Sequence, residues 1–272
     1  MTPQELFAAG ELAQAIAGQS AAVRSRPTDL AARWFLFVLL CWGGELDRAV
    51  LQMDALAQQN ADFGMGAMVY RSLILAEAER AAALGREGNP LLPPDSPPHL
   101  ETRLEALRAV RRGEPGAARE LLERAESERG EVEGKIDGES FADLIDSDDL
   151  FGPVLEVFAG GHYLWLPIER VRTLELRAPK HKLELLWLPA ELEDQSGERA
   201  SVHLPALYAG SAAARDPALR VGNMTQWDEV GGALVRGAGQ KVLVARAAAG
   251  DRDVSLRDLR LLEVTSPRAG AG

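Results

Sequence analysis

Gly10-Glu11-Leu12-Ala13-Gln14-Ala15 returns 34 positions later as Gly44-Glu45-Leu46-Asp47-Arg48-Ala49, and a third form, Gly113-Glu114-Pro115-Gly116-Ala117-Ala118, follows 69 positions after that. Self-similarity at a fixed period marks a chain built by copying one supersecondary unit. In each copy the glycine suits a turn that ends a helix. The alanine has almost no side chain, so one helix can lie close on another. Around the second copy, Leu46, Ala49, Val50, Met53 and Leu56 recur at helical spacing between Glu45 and Gln59.

A period of 34 is that of the tetratricopeptide helix pair. Pro27 stands where that repeat ends and would close a helix running from about Glu11 to Arg24. Thr28 or Asp29 can then cap a helix that continues to Trp42 and stops at Gly43-Gly44. A further helix is expected over 62–84, and a last pair over 99–112 and 115–129. Between them, Asn89-Pro90-Leu91-Leu92-Pro93-Pro94-Asp95-Ser96-Pro97-Pro98 holds too many prolines to be helical. It fits a mobile loop or a lid across a groove equally well. The match to the repeat is degenerate: Trp34 stands where leucine is usual, Phe35 where glycine is usual, and Gln19 where an aromatic is usual. Residues 1–130 are therefore expected to form a tetratricopeptide-like helical domain.

Beyond residue 130, glycine, proline and short apolar runs replace the helical period. Val154 to Ala159 and His162 to Leu166 flank Gly160-Gly161 and predict a hairpin. Val171 to Leu176, Lys182 to Leu186, Ser201 to Leu204, Gln240 to Ala245 and Arg260 to Val264 predict further strands. Residues 131–265 are thus expected to be a small antiparallel β-rich domain or partly open barrel, and 266–272 a disordered tail. The fold class is α+β.

The chain carries 41 acidic and 30 basic side chains, a formal charge of −11 over 272 residues. That sign argues against a nucleic-acid backbone or an anionic membrane as partner, since both are bound through lysine and arginine. Cys41 is the single cysteine, so no intrachain disulfide can form. It lies in an apolar run of nine residues, Trp34 to Trp42, where about 20 are needed to span a bilayer. No basic stretch precedes an apolar one near Met1, so the expectation is a cytoplasmic protein with a buried structural cysteine.

Chemistry is sparse. His99, His162, His181 and His203 show no metal-ligand spacing, and neither a nucleophile elbow nor a P-loop is present. Gly231-Gly232 and Gly237-x-Gly239 precede strands and read as turn glycines. Neither metal nor cofactor is expected. The one acidic constellation is Asp143, Asp146, Asp148 and Asp149. It could hold a divalent cation in a metal-dependent enzyme, but its spacing departs from calcium loops. Capping and surface polarity are the favoured reading. Trp34, Phe37, Val38 and Trp42 lie on a helix apolar nearly all round, which packing explains by default. Part of that face, with Tyr70, could line the concave surface that helical repeats offer to a peptide. These five residues and the four aspartates are the candidate partner-binding set. Trp165 is expected in the core.

The order Phe141-Ala142-Asp143-Leu144-Ile145-Asp146-Ser147-Asp148-Asp149-Leu150-Phe151-Gly152-Pro153-Val154-Leu155-Glu156-Val157, then Gly161-His162-Tyr163-Leu164-Trp165-Leu166-Pro167, Leu185-Leu186-Trp187-Leu188-Pro189-Ala190 and Leu204-Pro205-Ala206-Leu207-Tyr208 resembles the ImpE/TagJ family, accessory proteins of bacterial type VI secretion. The likeness runs on through Met224-Thr225-Gln226-Trp227 to the last strand. It implies a non-enzymatic adaptor beside the contractile sheath. The implied partners are the N-terminal helix of the small sheath subunit and, beyond it, the ClpV-type AAA+ ATPase that recycles contracted sheath. A helix-in-groove contact of that kind needs apolar surface and no catalytic group.

Overall fold

The computed structural model describes residues 1–60, 63–85 and 87–265, with residues 63–65 by their backbone alone. The tail expected over 266–272 lies outside the described residues, as does Asp62 at the start of the expected long helix. Helices come first: α1 (Pro3–Ala8), α2 (Leu12–Ser25), α3 (Leu30–Trp42), α4 (Leu46–Gln59), α5 (Phe63–Leu84), α6 (Pro98–Arg111) and α7 (Pro115–Glu128). Strands follow: β1 (Gly134–Ile136), β2 (Glu139–Phe141), β3 (Asp143–Asp146), β4 (Val154–Ala159), β5 (His162–Pro167), β6 (Val171–Leu176), β7 (Trp187–Asp194) and β8 (Arg199–Pro205). After the short helix α8 (Pro217–Arg220) come β9 (Thr225–Val230), β10 (Leu234–Gly239), β11 (Val242–Arg246), β12 (Arg252–Ser255) and β13 (Leu261–Val264). The chain is α+β.

The three sequence echoes make the same turn. Gly10, Gly44 and Gly113 all sit in the left-handed region, at φ 75°, 72° and 75°. The N–H groups of Glu11, Glu45 and Glu114 reach back five residues to the carbonyls of Leu6, Leu40 and Ala109, at 2.8, 2.9 and 3.0 Å. That bond satisfies carbonyls a helix end would otherwise leave open. One turn into each following helix, Ala15, Ala49 and Ala118 have no exposed surface. Caps set the other ends. Thr2 and Glu5 form a reciprocal capping box on α1, and Asp29 accepts from the Ala32 N–H at 2.9 Å to start α3. Each helix from α1 to α4 packs on the next, and α6 packs on α7.

The proline-rich stretch after α5 is an edge cover. Leu91 N–H donates to Tyr163 O and Trp165 N–H donates to Leu91 O, both at 2.9 Å, which seats Leu91 as a parallel bridge beside β5. Prolines lack the donors to extend that ladder, so the edge is blunted.

An eight-stranded antiparallel sheet runs in the order β2-β1-β13-β6-β7-β8-β4-β5, with a three-stranded sheet β12-β11-β3 and a ribbon β10-β9. Gly160 and Gly161, at φ 59° and 89°, make the tight turn between β4 and β5. Along β4, Leu155 and Val157 join the core shared with Leu144, Leu243 and Val254 of the smaller sheet. The alternate residues Val154 and Phe158 join a second core with α3 and α5. The large sheet is thus covered on both faces.

Two sequence expectations are corrected. Lys182 to Leu186 is not a strand: Lys182–Leu185 is a 3-10 turn that buries Leu183, and β7 starts at Trp187. Five residues of alternation fit a turn as well as a strand, and the Trp42 Nε1–H bond to Lys182 O at 3.1 Å fixes the turn. The segment from Asp143 is not a polar surface loop either, since it forms β3 and buries Asp143, Asp146 and Asp148. β1, β2, β3, β7, β9, β10 and β12 were not anticipated, although Asp137-Gly138 is a hairpin signal and both residues have positive φ.

Candidate functional site

The family-like acidic motif is a fastening point where four elements meet. Asp143 receives Arg129, at the end of α7, through two bonds of 2.8 and 2.6 Å, with Arg246 at 3.3 Å. Burial opposes ionisation, but the arginine bonds hold the Asp143 carboxyl below its ordinary range. Asp148 accepts from Arg236 Nε at 2.8 Å and from the Gly237 N–H at 2.9 Å, while Asp149 accepts from the Val235 N–H at 2.7 Å. Two neighbouring aspartates thereby hold β10. Asp146 accepts from the Tyr208 hydroxyl at 2.7 Å and faces Lys241 Nζ at 3.0 Å.

Lys241 leads into a second, wholly buried group. Its ammonium lies 2.6 Å from Glu156, and Arg80 of α5 meets the same carboxylate through Nε at 2.7 Å and through a second nitrogen, NH2, at 3.0 Å. That NH2 group also donates to Leu207 O at 2.8 Å. Tyr163 donates to Glu156 at 2.6 Å and in turn accepts from Trp165 Nε1 at 2.6 Å. Arg80 and Lys241 stand against Asp146 and Glu156, and Arg80 also meets the partly exposed Glu77 at 3.1 Å. Burial alone would raise Glu156, yet the two cations pull it down to about 2. Asp146 shifts the other way: burial raises it, and nearby Asp148 adds to that against the pull of Lys241. Lys241 is held above its ordinary value by the two carboxylates, against the effect of burial. Such a cluster holds elements in one geometry more than it adds stability, because desolvation offsets much of the attraction.

Among the described residues, no group of three or more His, Cys, Asp or Glu side chains is arranged to hold a metal ion. The physical reason is plain in the aspartate motif, where cations and backbone N–H groups already occupy the carboxylates. His99 is buried with Glu169 at 2.6 Å, and His162 is exposed with Glu79 at 3.1 Å. Cys41 is buried, and burial pushes its thiol well above its ordinary value.

The aromatic candidates gather on α3 and α5. Trp34, Phe37 and Tyr70 meet edge to face or tilted at 5.3 to 5.6 Å between ring centres, and Trp42 stacks edge-on against Phe7 at 5.4 Å. Phe37, Val38 and Trp42 are buried, whereas Trp34 and Tyr70 are half-buried. The aspartates stand apart from this group, on β3 and the turn that follows. Tyr70 borders a cleft of about 240 Å³ between α5 and the β7–β8 pair. Trp42 borders a cleft of about 320 Å³ between the α3–α4 turn, α5 and residues 205–213, with Leu46, Ala81, Leu186 and Ala213 on its walls and Glu77 and Arg80 at one side. Sequence reading missed Leu46, Ala81 and Ala213 as cleft residues; Leu46 belongs to the repeated hexapeptide and 205–208 to a family-like segment, whereas 209–213 carried no signal.

No helix of the described residues is long and apolar enough to cross a membrane. The family described as ImpE protein matches residues 138–263, from the first hairpin through β13. A Pseudomonas aeruginosa protein named type VI secretion system accessory component TagJ is 34% identical over 263 residues, covering 97% of this chain and 91% of its own length. A Vibrio parahaemolyticus protein of known crystal structure superposes with a TM-score of 0.87 at 24% identity, over 98% of both chains, a likeness of fold. With the aspartate motif, the Trp-x-Pro strands and a relative aligned from the first helices to the last strand, the chain belongs to the ImpE family.

Proposed function

We propose that this protein is a non-enzymatic accessory adaptor of a type VI secretion system, acting in the cytoplasm. The observation that carries the reading is the near full-length match to an accessory component of that system. In this reading α1–α7 form a tetratricopeptide-like array over residues 1–130, and residues 131–265 form the domain that braces it. The partner is the N-terminal helix of the small sheath subunit, and through it the adaptor connects the sheath with its ClpV-type ATPase. The cleft beside Trp42 suits one face of an amphipathic helix: its walls are mainly apolar, and Glu77 at its side is bonded to Arg80 at 3.1 Å and to Trp187 Nε1 at 2.9 Å. A net charge of −11 favours a partner segment rich in lysine or arginine, chiefly through association rate. The alternative of a metal-dependent enzyme built on Asp143 to Asp149 has little geometric support, because those carboxylates are already bonded inside the fold.

Calorimetric titration with a peptide of the small sheath subunit's N-terminal helix tests the reading. Saturable one-to-one binding is expected. Ala81 and Ala213 are both exposed at the cleft, so Ala81→Glu and Ala213→Glu should keep the fold and weaken binding about tenfold or more. Binding that ignores both changes moves the site elsewhere, to the Tyr70 cleft first. No binding by a folded protein and a helical peptide removes the partner.

A further inference from the structure

The β9–β10 ribbon ends the molecule on an open strand. β9 pairs with β10 from Thr225↔Gly239 to Val230↔Leu234, and among the described residues no other strand pairs with it. The two sides of the ribbon are treated unequally. β10 is held by Asp148 and Asp149, and Leu234 is buried against α6 and α7. β9 is exposed from Gln226 to Val230. Val230 O accepts from Ala233 N and Met224 O from Gln240 N, so even-numbered residues of β9 turn their backbone groups toward β10. The alternation of an antiparallel ladder then aims the N–H and C=O of Thr225, Trp227 and Glu229 outward.

What the edge displays selects its occupant. Met224, Trp227, Val230 and Val235 are exposed apolar side chains on or beside the ribbon. Edge strands that show such surface invite pairing, and proteins commonly block self-pairing with charge. Here the charge has one sign. Asp228 and Glu229 are adjacent and so point to opposite faces of the strand. Arg236, across from Asp228, is engaged by Asp148 at 2.8 and 2.9 Å. Asp228, which accepts from Gln226 Nε2 at 2.7 Å, borders a depression of about 780 Å³ whose lining includes both Arg215 and Asp216.

We propose that β9 is a docking edge for an extended segment carrying two adjacent basic residues and an apolar neighbour. The segment adds a strand beside β9 and bonds to the outward groups of Thr225, Trp227 and Glu229. Its two cations meet Asp228 and Glu229, one on each face, and its apolar side chain covers Trp227 or Val230. This surface is distinct from the helix cleft and does not depend on the adaptor reading.

The test uses the full chain and a short acetylated peptide with a central lysine pair flanked by valine and threonine. A matched peptide with a glutamate pair is the control. Hydrogen exchange followed by NMR should slow at Thr225, Trp227 and Glu229 on adding the lysine peptide. The exposed double variant Asp228→Lys/Glu229→Lys should lose about tenfold in affinity for it and gain affinity for the glutamate peptide. Equal binding of both peptides, protection that maps to the helix clefts, or no binding overturns the proposal. So does a dimer in sedimentation with β9 already protected, since a second copy would then hold the edge.

Discussion

At the residue scale, the costliest changes are those that break one partner of the buried network bridging α5 and the sheets. Glu156→Gln leaves Arg80 and Lys241 buried without their shared anion, and should destabilise the protein by about 3–5 kcal/mol in urea unfolding. The same residue sets a pH window. Its folded value of about 2 lies below its ordinary 4.5, so its stabilisation is present above pH 4.5 and is lost as pH falls toward 2. Asp146, raised by burial, works in the opposite sense, so the slope seen is the net of the two. Urea midpoints measured from pH 6 to pH 2 should fall, and Glu156→Gln should flatten that fall; an unchanged slope would assign it to other carboxylates. Trp165 has no exposed surface, and its Nε1 bond to Tyr163 belongs to the same network. Trp165→Ala should cost about 3–5 kcal/mol. A variant that is fully stable yet fails to bind the sheath peptide would instead make Trp165 a binding residue.

At the element scale, turns of one shape differ in what surrounds them. Gly44 has open space where a side chain would go, so Gly44→Ala should cost only the left-handed strain, roughly 1–2 kcal/mol. A Cβ at Gly10 would overlap the Pro217 carbonyl between α1 and α8, so Gly10→Ala should lower Tm clearly further. Equal losses would mean that the α8 contact yields easily. Asp148 ties the ribbon to the body, and Asp148→Ala should speed amide exchange across Leu234–Gly239 before it affects the helices. Uniform exchange throughout would make the aspartate a global fastener instead.

At the scale of the whole molecule, one apolar cluster holds Phe37, Leu39 and Leu40 of α3 together with Phe151, Phe158, Trp165 and Trp187 of the sheet side. Arg129–Asp143 and Arg80–Glu156 cross the same divide. We expect residues 1–130 and 131–265 to unfold in one transition, with coincident far-ultraviolet and tryptophan signals. Two resolved transitions would show the halves to be thermodynamically separate.

Much of the local architecture could be read from the residues alone. The Gly-Glu turns, the helices from α2 to α7 within two residues, and the β4–β5 hairpin follow from glycine's access to positive φ, proline's missing donor and apolar periodicity. These effects act over a few neighbours in the chain. The family was legible for the same reason, as contiguous motifs. What those motifs do was not: Asp143, Asp146, Asp148 and Asp149 look alike in sequence, and four close carboxylates suggest solvent or metal. Their partners Arg129, Lys241 and Arg236 lie as far as 95 residues away. The clefts, the edge cover at Leu91 and the open edge of β9 depend likewise on packing between distant segments. Local sequence determined the helices and the β4–β5 hairpin; long-range burial decided the unanticipated strands, which charges are neutralised inside and which surfaces remain open.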